Sequence, residues 1–114
     1  MTHTVVTEFI FHLAEPSDWA RAVASGAYAA DSLATEGFIH ASTAAQVPLT
    51  FARYYADRTD LVLLAVDPAG LDVRWETSGE DLFPHVYEPI ATAYVELLGP
   101  YAGGDVQRGG ATYS

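Results

Sequence analysis

Three histidines in this sequence repeat one context: Phe11-His12, Ile39-His40 and Pro84-His85 each put an imidazole at or just past the end of an extended apolar segment. Strand ends gather on one rim of a sheet, where binding and catalytic groups concentrate, so the repetition predicts three converging rings. Imidazole changes charge near neutral pH, which makes His12, His40 and His85 the candidate catalytic residues. Joined by Glu36 or Glu88 they could instead ligate a divalent metal, although no tight pair such as His-x-His is present. The competing reading of any one of them is a space-filling histidine satisfied by a backbone carbonyl.

Ser42 lies two residues after His40, but no Gly-x-Ser-x-Gly elbow surrounds it and the two share one strand face, a poor arrangement for a nucleophile and its base. Its better role is to cap the helix that follows. Thr43 with Gln46 also fits a capping box there, and either residue could be the cap. The backbone N–H groups at that helix start are a candidate anion site, the main place for a phosphate in a chain with five arginines. Arg21, Arg53, Arg58 and Arg74 read as surface charges. Tyr28 and Tyr87 lie in loop-like segments near the histidines and could form a wall for a planar ring. Neither a Gly-rich dinucleotide fingerprint nor a Walker loop is present.

The elements that must position these groups are short. Thr7–Leu13 reads as a strand with Phe9, Phe11 and Leu13 on one face and Ile10 and His12 on the other; with neither face polar, it is expected to be central. Pro16–Ser25 reads as a helix ended by Gly26, residues 26–33 as loop with a fragment of strand, and Glu36–Ser42 as a second strand. A helix is expected from Thr43 to about Asp57, with a kink at Pro48. Leu61–Val66, an unbroken apolar run, is the candidate sheet centre. Val73–Glu76 reads as an exposed edge, and Pro84 and Pro89 argue that the Leu82–Pro89 segment is not an inner strand. Ala91–Leu98 reads as the last strand.

Five or six strands and two helices out of strict alternation give an α+β class for residues 1–98. Residues 99–114 hold five of the nine glycines and are expected to be a flexible tail. Half of the 114 residues are hydrophobic, enough for one core. Fifteen Asp and Glu against five Arg and no Lys give a net charge of −10, which repels nucleic acid and anionic membranes. Cysteine is absent, so thiolate chemistry and disulfides are excluded. With no basic leader and no apolar run near ~20 residues, the expected location is the cytosol.

Phe11-His12-Leu13-Ala14, Trp19, Asp31-Ser32-Leu33, Glu36-Gly37-Phe38-Ile39-His40-Ala41-Ser42-Thr43 with Gln46, Asp60-Leu61-Val62-Leu63-Leu64 and Phe83-Pro84-His85-Val86-Tyr87 together resemble the DUF952 proteins. These are small bacterial domains, also fused to other domains in plants, whose biochemical role is unassigned. The resemblance covers about residues 8–98. It implies an ADP-ribosyltransferase-like fold: a mixed, split β-sheet with two main helices and a cleft that holds NAD in active relatives. Those relatives use a first-strand Arg or His, matched by His12, and a Ser-Thr-type motif at the end of a second strand, matched by Ser42-Thr43. They also use a later Glu that stabilises the oxocarbenium-like ribose as nicotinamide leaves. Glu76, Glu80 and Glu88 are all candidates for it, and none sits in a recognisable motif.

The implied ligand is a small nucleotide, NAD or an ADP-ribose-containing compound, held by Ser42, Thr43, Gln46, Tyr28 and Tyr87, with ADP-ribosyl transfer or NAD cleavage as the chemistry. The alternatives are a non-catalytic interaction domain acting through its acidic surface, and a histidine-based metal site. The scarcity of Arg argues against a phosphotransferase acting on RNA.

Overall fold

The computed structural model describes residues 8–108 and 111–112. Its strands are β1 (Ile10–Ala14), β2 (Ala27–Tyr28), β3 (Ile39–His40), β4 (Leu61–Val66), β5 (Val73–Ser78), β6 (Asp81–Val86), β7 (Ile90–Ala91) and β8 (Val95–Tyr101). Its helices are α1 (Pro16–Ser25), α2 (Asp31–Thr35) and α3 (Val47–Tyr54). A short hairpin pairs Gln107–Arg108 with Ala111–Thr112. The result is a small α+β domain. No helix among the described residues is long and apolar enough to cross a membrane.

β4 is the centre of a sheet ordered β1-β4-β8. Its unbroken apolar run follows from cover on both faces, because successive side chains enter opposite cores. Leu61, Leu63 and Ala65 pack with Phe11, Leu13, Val47, Phe51 and Tyr101. Leu64 and Val66 pack with Ile10, Ala14, Ala22, Tyr28 and Ile90. β1 divides between the same two cores in the alternation its sequence predicts. It is nevertheless an edge of that sheet, joined to the rest of the domain by one bridge in which Phe11 and Ser42 exchange both backbone hydrogen bonds at 2.8 Å.

That bridge is where the sheets split. Beyond it lies a second sheet ordered β3-β6-β5, and a ribbon of β2 with β7 carries Tyr28 opposite Ile90. All strand pairs among the described residues are antiparallel, so the expected mixed sheet is corrected. Parallel pairing needs a crossover that carries the chain back to the sheet end where the first strand began; here the second strand of each pair starts at the end where the first one finished.

Pro84 lies in the middle strand of the second sheet, against expectation. Its carbonyl accepts from the Ala41 N–H at 3.0 Å, so the side of Pro84 that lacks a donor faces Ala41, where β3 has already ended at His40. The missing hydrogen bond falls on a residue that leaves the ladder. Two other boundaries move. Residues 31–35 form α2, and α3 runs only from Val47 to Tyr54, with Pro48 in its first turn, where the missing N–H breaks no bond and causes no kink.

The expected end of the folded domain at Leu98 also shifts. β8 starts at Val95, after a 3-10 turn over Thr92–Tyr94, and continues through Gly99 and Pro100. Tyr101 is buried edge-on against Phe51, with ring centroids 5.2 Å apart, and Val106 is buried in the same core. A tyrosine and a valine inside a glycine-rich stretch thus anchor the first part of it. Residues 109–110 and 113–114 lie outside the described residues.

Candidate functional site

The site begins where the two sheets part. After the single Phe11–Ser42 pair the ladder stops, and the carbonyl of His40 accepts a 2.5 Å bond from His12 Nδ1 instead. A carbonyl can only accept, so Nδ1 carries the proton and Nε2 keeps its lone pair, which accepts from the Tyr28 hydroxyl at 2.7 Å. Both ring nitrogens are thereby satisfied. Burial disfavours the imidazolium and pushes the His12 pKa down to about 4, so the ring is neutral at physiological pH. Tyr28, 1% exposed, is held by the β2–β7 pairing, and burial pushes its phenol well up.

The second group comes from the β3-β6-β5 sheet. The register puts His40 opposite His85, with ring centroids 5.3 Å apart. Phe38 stacks on His85 at 4.1 Å and 17°, and the His85 side chain is 8% exposed. Its Nδ1 donates to Glu76 Oε1 at 2.7 Å, and the Tyr87 hydroxyl donates to the same oxygen at 2.5 Å. These two donors hold the Glu76 carboxyl below the usual carboxylate range, and the same bond pushes the Tyr87 phenol up. Arg74 lies 4.1 Å over the Tyr87 ring and pairs with Asp72. His40 is half exposed, with Nε2 3.2 Å from Glu36 Oε1.

His12, His40 and His85 all line one cleft of about 1020 Å³, together with Tyr28 and Ser42. Ser42 is buried, and its hydroxyl bonds Thr50 Oγ1 at 3.1 Å rather than capping α3. The capping box belongs to Thr43 and Gln46, which satisfy each other's backbone N–H at 3.0 and 3.2 Å. Neither lines the cleft. Gln46 Nε2 reaches the Leu82 carbonyl at 2.9 Å, and Tyr87 sits behind His85. At that helix start the N–H groups of Thr43, Gln46 and Val47 are bonded inside the turn, and Pro48 has none.

Six carboxylates line the cleft, from Glu15, Asp18, Asp31, Glu36, Glu80 and Asp81, against the single arginine Arg53. Arg21, Arg58 and Arg74 are paired with acids, whereas Arg53 makes no ion pair among the described residues. Among the described residues no group of three His, Asp or Glu side chains is placed to hold a metal ion. Glu88, a metal candidate from sequence, instead accepts from the Asp72 N–H at 2.5 Å. From sequence Arg53 reads as a surface charge, Thr50 is not singled out, and Glu76 is indistinguishable from Glu80 and Glu88. The signal for Glu76 was the alternation Arg74-Trp75-Glu76, which puts both charged side chains on one face of a strand running beside β6. A smaller hollow of about 180 Å³ beside Phe9, Asp67 and Tyr94 contains none of the site residues.

The sequence model of DUF952, described as proteins of unknown function, matches residues 13–98. The chain belongs to the DUF952 family. No curated protein matches it. Among solved structures, this DUF952 chain is similar to the crystal structure of protein CC0527 from Caulobacter crescentus, at 32% identity and a TM-score of 0.71, covering 82% of this chain and 93% of that one. It is likewise similar to the solution NMR structure of CC0527, at 35% identity and a TM-score of 0.67, covering 77% and 79%.

Proposed function

We propose that the cleft binds NAD or another ADP-ribose-containing nucleotide and that its chemistry, where it proceeds, opens the bond between ribose C1′ and nicotinamide. The observation that carries this reading is the convergence of His12, His40 and His85 on the wall of one cleft of about 1020 Å³, room for a ligand of that size. The resemblance of His12 to the first-strand position that holds NAD in ADP-ribosyltransferases, and of Ser42-Thr43 to their Ser-Thr-type motif, supplies the ligand class; of these residues His12 and Ser42 line the cleft.

The electrostatics of the cleft sort such a ligand into two ends. The six carboxylates favour the cationic nicotinamide ring and the positive charge that develops on C1′ as the bond opens. The diphosphate belongs beside Arg53, which makes no ion pair among the described residues. Neutral His12 offers no charge to a phosphate; with Tyr28 it forms a fixed, uncharged wall.

Calorimetric titration with NAD, ADP-ribose and nicotinamide, followed by chromatographic measurement of nicotinamide release, tests the reading. Binding of NAD and ADP-ribose that Arg53→Glu weakens at least tenfold supports it, and nicotinamide release abolished by His12→Ala or Tyr28→Phe makes the protein an enzyme. Binding without product leaves a nucleotide-binding module. No binding of either nucleotide at millimolar concentration refutes the proposal.

A further inference from the structure

We infer that His85 is the proton acceptor of this cleft and that Glu76 is the residue that positions it, an assignment that rests on the proposed nucleotide chemistry for its substrate. Four observations on the His85 ring carry it. The His85 side chain is more than nine-tenths buried yet lines the cleft. Its Nδ1 is committed to the Glu76 carboxylate at 2.7 Å, so Nδ1 carries a proton and, in the neutral ring, the lone pair is on Nε2. Nε2 meets no hydrogen-bonding group of the protein among the described residues, in contrast to both nitrogens of His12 and to His40 Nε2. Packing admits little freedom of rotation, since Phe38 stacks flat on one face of the ring and His40 stands against it edge-on.

A carboxylate on one imidazole nitrogen with the other facing a cleft is the arrangement of a general base. Glu76 has a second donor, the Tyr87 hydroxyl, and Tyr87 is itself covered by Arg74, so the carboxylate is fixed before any ligand arrives. On a ribose substrate the step balances as follows. The O–H of water or an acceptor alcohol gives its proton to His85 Nε2 while its oxygen bonds C1′. The C1′–N bond breaks, and its electron pair returns to the ring, which leaves as neutral nicotinamide. His85 departs as an imidazolium paired with Glu76 and returns its proton to solvent. Glu76 therefore acts through His85 and is a positioning residue, while His85 touches the reacting oxygen.

The experiment joins long-range proton–nitrogen NMR of the histidine rings to the nicotinamide-release assay. The ligand-free wild type should show His85 with Nδ1 protonated and Nε2 bare. In Glu76→Ala that tautomer should be lost while the amide spectrum keeps its dispersion, and kcat should fall about 100-fold or more with KM within about threefold. His85→Asn should fall as far. Tyr87→Phe, which removes the second donor to Glu76 but keeps the His85–Glu76 bond, should retain the tautomer. Should Glu76→Ala fail to fold, Glu76→Gln reads the same tautomer. An Nε2-protonated His85 in the wild type, or an unchanged kcat in His85→Asn, overturns the inference while leaving nucleotide binding intact. The expected tautomer with no nicotinamide release overturns the ribose chemistry and leaves the dyad.

Discussion

Lowering the pH from neutral to about 5 tests whether His12 is held neutral by its surroundings. Folding depresses its pKa from 6.5 to about 4, chiefly by burial. In the interval between those values the unfolded chain binds a proton that the folded chain refuses, so stability is present above pH 6.5 and is lost as the pH falls toward 4. Linkage puts the loss at roughly 2 kcal/mol between pH 7 and pH 5, and at roughly 3 kcal/mol once both states are protonated. For a domain of this size the first figure lowers the melting temperature by roughly 10 °C. The carboxylates whose pKa values folding lowers, Glu15 and Asp60 through Arg58 and Glu76 through Tyr87 and His85, lose their contribution only below their ordinary values of 4.5 for Glu and 3.8 for Asp, so above that they do not mask the effect of His12. Urea denaturation of wild type and His12→Gln at half-unit pH steps isolates the effect. The variant should be less stable at neutral pH but flatter between pH 6.5 and 5. Equal slopes for both proteins, or an NMR titration of His12 with a midpoint near 6.5, would show that burial does not hold His12 neutral.

Three further outcomes follow from the packing. Tyr28→Phe removes the hydroxyl that His12 Nε2 accepts and leaves that nitrogen without a donor, at a cost of about 1–2 kcal/mol in urea denaturation; an unchanged midpoint would count against the pairing. Tyr101→Ala empties a core position against Phe51 and should cost about 3 kcal/mol or more by calorimetry, and truncation after Leu98 should cost more still; a truncated chain as stable as the full one would return the domain boundary to Leu98. Thr43→Ala and Gln46→Ala should each cost about 1 kcal/mol, and the double variant less than their sum, because the two side chains cap reciprocally. Strict additivity in that cycle would show that the box contributes nothing as a unit.

What the sequence determined by itself is what local physics controls. Strand alternation in β1 and the two-faced apolar run of β4 follow from side-chain periodicity, and the Thr43–Gln46 box follows from a spacing of three along one turn. The glycine after Ser25 ends α1 with a backbone φ of 91°, a conformation that residue alone adopts at little cost. The convergence of the three histidines was legible as a repeated context, because ends of apolar strands collect on sheet rims.

The tertiary structure decided whatever depends on register between distant segments. Nothing near Glu76 in sequence separates it from Glu80 or Glu88; only the β5–β6 pairing brings it to His85 and Tyr87. Pro84 could enter a middle strand because β3 ends one residue short of it, a fact written in another part of the chain. The state of His12 was set the same way. A single bridge joins the two sheets, and where that ladder stops the His40 carbonyl needs a donor. An imidazole one residue along β1 supplies it, so a side chain that by type could carry charge is fixed as a neutral one.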